Sequence, residues 1–261
     1  VVKKFDKQGH LVSRIGRGRG SGPGEFNQIG AFDIYRDTVW VVDLRDRSVL
    51  TFDGEGTYLD EFHIDHPANR IEVTNQYIVL LGLGGEIFHA YDRAGNPIKT
   101  FGRLISDQAV NPISTDGTLE SSESGTQIIY HPLYASYIYT IDSLAISRTV
   151  EGIDGQPYPA SNPESESGQF VVRAPSTPIE YDDISISNDI LYVLKNYYDD
   201  SGEQSVSYLH QYEYGSFRHV GTIEIPKRVS YAEVRNDTLY TLADTTFLAY
   251  KMEDDAKGAD D

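Results

Sequence analysis

"FDIYRDTVWVV", residues 32–42, sets two alternating apolar runs on either side of a tight polar pair, Arg36-Asp37. Alternation with a period of two places one set of side chains on a single face of a strand, and a two-residue polar break between such runs reads as a hairpin turn. The same grammar returns in "IEVTNQYIVLL" (71–81) around Asn75-Gln76, "ISISNDILYVL" (184–194) around Asn188-Asp189 and "AEVRNDTLYTL" (232–242) around Asn236-Asp237. Asn and Asp suit these turns because they tolerate the positive φ that a two-residue hairpin requires. The "NDT" at Asn236 is also a formal glycosylation sequon, but the hairpin turn accounts for it.

A second pattern follows the first: a run ending in an aromatic, usually an Asp, a turn glycine, then another run. It reads "VVKKFDKQGHLVSRIG" (1–16), "VLTFDGEGTYLDEF" (49–62), "IFHAYDRAGNPIKTFG" (87–102) and, more weakly, "SYLHQYEYGSFRHVG" (207–221). Gly9, Gly56, Gly95 and Gly215 are expected to relieve backbone strain in these turns. Chained, the two patterns make a four-strand unit of about 40–50 residues, the period of a propeller blade. Units are expected at 30–64, 69–102, around "TQIIYHPLYASYIYTID" (126–142) through about residue 152, at 181–225, and at 230–252 with three strands only. Residues 1–16 supply two further strands. They either close on the three-stranded end, which would remove open sheet edges, or belong to a blade beginning before Val1.

These units predict an all-β fold, a β-propeller of four-stranded antiparallel blades of the six-bladed type, as a single domain over 1–252 with an acidic, disordered tail over 253–261. The glycine-rich "GRGRGSGPGEF" (16–26) then joins the last strand of one unit to the first of the next. A dinucleotide fingerprint must open a helix and a P-loop must contain Gly-Lys-Ser/Thr; this stretch does neither, so it is a connector.

Composition narrows the function classes. The 261 residues carry 40 Asp and Glu against 22 Lys and Arg, a formal net charge of −18, so the average field repels polyanions and nucleic acid is excluded as a partner. Lys3, Lys4, Lys7, Arg14, Arg17 and Arg19 against Asp6 alone make the N-terminal segment locally basic, read as a solvated edge. No cysteine is present, which removes disulfides, thiol catalysis and cysteine-ligated zinc. No apolar run reaches the length of a membrane span, and the chain starts at Val1 without a signal peptide, so a targeting segment or lipid anchor would lie ahead of it.

Over residues 1–59, with "GPGEF" as its most specific element, the chain resembles NHL-type repeats, and in particular uncharacterised bacterial six-bladed propeller proteins with a "G-x-GPGEF"-like connector. The resemblance is strong over 1–102 and faint beyond. It implies a toroid of six blades found in exported or lipid-anchored envelope proteins, hence a periplasmic, cell-envelope or extracellular location. It also implies that Asp43 and Arg47 of "DLRDR" form a structural pair.

In a four-stranded blade the loops between strands two and three emerge on the face of the inter-blade connectors. Here that face carries the longer loops, 16–29, 60–68, 103–126 and 151–170, with "DLRDRS" (43–48), "HPLYAS" (131–136) and "KNYYDDSGEQS" (195–205). Long loops on a rigid scaffold are where binding residues concentrate, so Arg45, His131, Tyr134, Tyr197 and Tyr198 are the expected contact residues for a protein, peptide or glycan. "TDGTLESSESG" (115–125) and "DGQPYPASNPESESG" (154–168) read as polar insertions without a core of their own. For metal binding, "HIDHP" offers His63, Asp65 and His66, two imidazoles and a carboxylate that would need a further ligand. No cofactor is expected, and a calcium or other divalent ion held in the channel by scattered carboxylates stays open. A non-enzymatic binding or scaffold protein is the leading reading. The alternative is a metal-assisted hydrolase or lyase, of the lactonase or esterase kind, with its site at the central channel.

Overall fold

The computed structural model describes residues 1–6, 8–82, 86–104, 112–159, 179–198, 204–225 and 227–252. Strands β1 (Val2–Phe5) and β2 (Leu11–Ile15) pair as a two-stranded sheet. The first complete blade is β3 (Ile29–Tyr35), β4 (Thr38–Asp43), β5 (Ser48–Asp53) and β6 (Tyr58–His63). The second is β7 (Arg70–Val73), β8 (Tyr77–Leu81), β9 (Phe88–Asp92) and β10 (Pro97–Phe101). The third is β11 (Gly117–Ser121), β12 (Gln127–Pro132), β13 (Tyr137–Asp142) and β14 (Ala145–Glu151), preceded by a 3-10 turn over Pro112–Thr115. The fourth is β15 (Ile179–Ser187), β16 (Ile190–Tyr198), β17 (Gln204–Glu213) and β18 (His219–Ile225), and a fifth has three strands, β19 (Tyr231–Arg235), β20 (Thr238–Ala243) and β21 (Thr246–Lys251). Each is an up-and-down meander, the order of a propeller blade.

The turn chemistry explains the meander. Asn188 and Asp189 have φ of 52° and 58°, and Asn236 and Asp237 have 46° and 56°, the left-handed pair that matches strand twist. In the second blade the Thr74 hydroxyl, which accepts from the Tyr77 amide, holds the turn around Asn75-Gln76. The aromatic-Asp-glycine turns are three copies of one bonding scheme. The carboxylates of Asp6, Asp53 and Asp92 each accept backbone N–H groups two and four residues on, while Gly9, Gly56 and Gly95 donate to the carbonyls of those same residues.

The described residues fall into two compact units, those within Val1–Ser106, Gly125–Ile128 and Asp142–Ala145 and those within Asp107–Ser124, Ile129–Ile141 and Ile146–Asp261. In the first, blades one and two pack through Trp40, Val42, Val49, Ile71, Ile78 and Leu80, and the Asp33 carboxylate on β3 accepts the Val73 amide of β7 at 2.7 Å. In the second, Ile129, Ile138, Tyr181, Leu191 and Val193 join blades three and four, and Leu194, Leu209, Val234 and Leu239 join blade four to the fifth. There Asp183 and Ser185 of β15 accept from Ala232 and Val234 of β19, repeating the stitch between first strands.

Two expectations are corrected. The polar stretch 115–125 contains β11: Gly117 and Thr118 are buried, and a Cβ at Gly117 would lie 2.4 Å from the His131 carbonyl. Its one large apolar residue, Leu119, is half-buried, and close backbone packing at Gly117 leaves no room for bulk there. Asp43 is almost fully buried, and its carboxylate accepts the amides of Asn27, Gln28, Arg45 and Asp46. Arg47 is exposed and forms no salt bridge with it, so Asp43 is held by backbone amides and caps both the β4–β5 turn and the incoming connector.

Candidate functional site

The strands of blade four are the longest in the described fold, nine residues in β15 and β16 and ten in β17, and their register fixes what shares a face. Tyr181 lies opposite Lys195, Lys195 opposite Tyr208, and Tyr208 opposite Glu224. One step along, Val193 faces His210 and His210 faces Thr222; one step the other way, Tyr197 faces Val206. Directly paired residues point the same way, so this sheet face carries a lysine, two histidines' worth of imidazole with His219 nearby, and a run of tyrosines.

Lys195 is fully buried. Its ammonium forms an ion pair with Asp154, which enters from the segment after β14, and it lies 4.3 Å from the Tyr197 ring centre and 5.9 Å from that of Tyr181. Beyond the ion pair, Nζ has no hydrogen bond of good geometry among the described residues. The other Asp154 oxygen accepts the Tyr181 hydroxyl at 2.9 Å, and Tyr212 accepts the adjacent Ile153 amide at 3.2 Å. A buried ion is tolerated only when its charge is matched, and Asp154 supplies that match to Lys195.

The outer part of the same face opens as a recess of about 420 Å³ lined by Tyr197, Tyr198, Val206, Tyr208, His210 and Thr222. Tyr197 and Tyr208 meet edge to face with centres 5.4 Å apart. His210 Nδ1 is 2.8 Å from the Thr222 hydroxyl, which also lies 2.9 Å from His219 Nε2, and His210 Nε2 is 3.6 Å from Asp154. Burial pushes the His210 imidazole down to about 4; Asp154 opposes this, while Lys195 and His219 reinforce it. Burial likewise raises the Tyr181 and Tyr212 hydroxyls.

Carboxylate, imidazole and hydroxyl stand in the order of a nucleophilic triad, but the details disfavour that chemistry. The 3.6 Å separation exceeds hydrogen-bond length, and Asp154 is committed to Lys195 and Tyr181. An imidazole whose conjugate acid titrates near 4 is a weak base at neutral pH. The arrangement suits recognition by neutral groups better than proton transfer.

Of the expected contact residues, Tyr197 and Tyr198 share the recess. His131 and Tyr134 are buried, contrary to expectation, because "HPLYAS" folds inward. The His131 ring packs 4.6 Å from Tyr181, its Nδ1 is 2.9 Å from the Pro132 carbonyl, and burial pushes it down to about 4. His131 thus stands behind the Asp154 cluster, and Tyr134 offers its carbonyl to Gln156. Arg45 is exposed in the β4–β5 turn of the first unit. His63, Asp65 and His66 are exposed on either side of fully buried Ile64, and no group of three or more His, Cys, Asp or Glu among the described residues is placed to hold a metal ion. His66 instead stacks on His89 at 4.5 Å.

Lys195 and Asp154 escaped the sequence reading. Lys195 carries a signal, a lysine inside the apolar run "ILYVLK" at an inward-facing strand position. Asp154 opens "DGQPYPASNPESESG", read as an insertion, yet Gln156 bonds Tyr134 and Tyr158 stacks on Tyr137 at 5.5 Å, so residues 154–158 are docked. Residues 160–168 of that stretch, most of "YYDDSGEQ" after Tyr198, and the 253–261 tail lie outside the described residues.

Successive four-stranded meanders stitched through their first strands define a β-propeller. The chain belongs to the DUF5128 family, described as a 6-bladed beta-propeller, which it matches over residues 4–152. No curated protein matches it by sequence. Among solved structures it is similar to a member of the DUF4221 family from Bacteroides vulgatus, with TM-score 0.67 and 11% identity over 91% of this chain and 78% of that one. It is also similar to a candidate exported protein from Bacteroides fragilis, with TM-score 0.57 and 15% identity over 91% and 72%. A third is the β-propeller domain of Cps50 (Swd1) from Myceliophteria thermophila, with TM-score 0.53 and 11% identity over 95% and 89%. At these identities the likeness is one of fold. Among the described residues no helix is long and apolar enough to cross a membrane.

Proposed function

We propose that this chain is a non-enzymatic binding propeller that receives part of a protein, peptide or glycan in the tyrosine recess at the loop end of blade four. The observation that carries the reading is the recess itself: half-buried aromatic walls, backed by the buried ion pair of Lys195 with Asp154, in which the ammonium lies 4.3 Å from the Tyr197 ring centre. Recognition sites typically combine apolar walls with a few fixed polar groups, and a wall backed by an ion pair keeps that geometry in place without a ligand. The resemblance of residues 1–102 to NHL-type repeats and the likeness to an exported-type protein support a place of action in the envelope or outside the cell.

Fluorotyrosine labelling with ¹⁹F NMR tests the reading against blocked peptides and glycans. Binding is expected to move the Tyr197, Tyr198 and Tyr208 resonances and to be lost in a Tyr197→Ala, Tyr198→Ala double variant. Ligands that bind with these resonances unmoved, or that bind the variant equally well, refute the assignment.

A further inference from the structure

Resting on that reading, we infer that the recess takes one or two rings of a neutral carbohydrate. Charge comes first. The ammonium of Lys195 is cancelled by Asp154, and His210 is uncharged at neutral pH, so the inner surface offers no net charge. Glu224, exposed on the same sheet face opposite Tyr208, adds a negative charge near the rim of a chain that already carries −18, which disfavours an anion. A cation is disfavoured too, because the Lys195 ammonium already lies 4.3 Å from the Tyr197 ring centre.

The remaining chemistry is aromatic and hydroxylic. The rings of Tyr197 and Tyr208, crossed at 88°, with Val206 beside them, give apolar surfaces for the C–H face of a pyranose. Thr222 is exposed, and its hydroxyl is held between His210 and His219, which leaves one lone pair to accept from a ligand hydroxyl. His210 Nε2 is buried and lies 3.6 Å from Asp154, so the imidazole's contribution to the recess is the Thr222 hydroxyl that its Nδ1 holds. At about 420 Å³ the recess falls inside the roughly 300–1,000 Å³ range of small-molecule sites. An extended peptide fits less well. Strand addition needs a sheet edge, whereas the walls come from β16, β17 and β18 side chains on the face of a sheet.

Saturation-transfer NMR distinguishes the cases, using methyl glycosides and disaccharides of glucose, galactose, mannose and N-acetylglucosamine, glucuronic acid as the acidic counterpart, and blocked tripeptides. Neutral sugars are expected to show transfer to ring C–H protons. Tyr208→Ala should abolish it, Thr222→Val should weaken affinity about 3–10-fold, and Phe247→Ala on the exposed face of β21 should leave it unchanged. Should Tyr208→Ala fail to fold, the Thr222→Val ratio decides alone. If peptides or glucuronate bind the recess and neutral sugars do not, the carbohydrate assignment is overturned and the binding site stands. If nothing binds, both are overturned.

Discussion

Replacing Lys195 by methionine keeps the length of the stem and deletes the ammonium at a fully buried position. Asp154 is then left with the Tyr181 hydroxyl at 2.9 Å and the His210 imidazole at 3.6 Å. Breaking a buried ion pair from one side typically costs about 3–5 kcal/mol, because the surviving charge is neither solvated nor neutralised. Set against the roughly 5–15 kcal/mol that holds a domain folded, this is a large fraction. At about 2–4 °C per kcal/mol for a chain of this size class, it corresponds to a fall in Tm on the order of 10 °C.

The same substitution makes a prediction of sign. Lys195 is one of the charges that push His210 down, and Asp154 is the group that opposes them, so removing Lys195 lets the imidazole become the counter-ion of Asp154. In the native protein the His210 pKa lies below that of the unfolded chain. Its contribution is therefore complete above about 6.5 and is lost as pH falls toward about 4. In the variant the His210 pKa is less depressed, since burial still holds it down while Lys195 no longer does, so less stability is lost as pH falls. The stability gap between native and Lys195→Met protein should therefore narrow between pH 7 and pH 5. Urea unfolding at both pH values measures the gap, and the His210 ring resonances report the pKa directly. The double variant Asp154→Asn, Lys195→Met should recover most of the loss, since two neutral groups of similar size replace two charges. A single-variant loss below about 1 kcal/mol, an additive double variant, or a gap that widens in acid would refute the account.

Three further outcomes follow from the same coordinates. His131, buried and pushed to about 4, should lower the native protein's stability at pH 5 relative to pH 7 by an amount on the order of 2 kcal/mol, and His131→Phe should remove that share of the dependence in urea titrations while the share due to His210 stays. Asp43→Ala removes one acceptor from four backbone amides and should cost about 2 kcal/mol or more, while the exposed Arg45→Ala beside it should stay within about 0.5 kcal/mol by the same measurement. Gly95→Ala places a Cβ 2.3 Å from the Phe62 ring at φ of +83°, whereas Gly9→Ala, at +82°, meets nothing within 4 Å. Thermal unfolding should show only the left-handed penalty of about 1–2 kcal/mol at Gly9, and a larger one at Gly95.

The blades were legible because strand alternation and turn chemistry are local. "ISISND" announces a left-handed pair at Asn188-Asp189 without help from the rest of the chain, and each Asp-to-glycine turn closes its hydrogen bonds within four residues. Blade three was blurred for an equally physical reason. Its first strand meets the neighbouring backbone so closely at Gly117 that bulk is excluded, and "GTLES" carries a single apolar residue, Leu119, too little for an alternating signature. The site was half legible. Tyr197 and Tyr198 follow from their place at the loop end of a hairpin, but the ion pair does not. Lys195 and Asp154 are joined by tertiary packing across a long stretch of chain, and nothing local to Asp154 distinguishes it from the other acidic residues in polar segments.

Comparison of blades one and four shows why the recess belongs to the fourth. In blade one a register shift between Ile29 and Ala31 precedes the pair Ile29–Asp43, and β4 ends there. In blade four the equivalent shift between Tyr181 and Asp183 precedes the pair Tyr181–Lys195. Asp43 and Lys195 therefore occupy the same position in their sheets. The carboxylate of Asp43 accepts the next turn's amides and folds the chain back at once. At Lys195 no carboxylate caps a turn, and pairing runs on through Asn196–Ser207 and Tyr197–Val206. Those extra rungs lift the tyrosines beyond the height at which blade one turns, and the buried ammonium they leave behind demands a carboxylate, which Asp154 supplies. The aromatic wall and the ion pair thus meet at one rung of the blade, the one that Lys195 occupies.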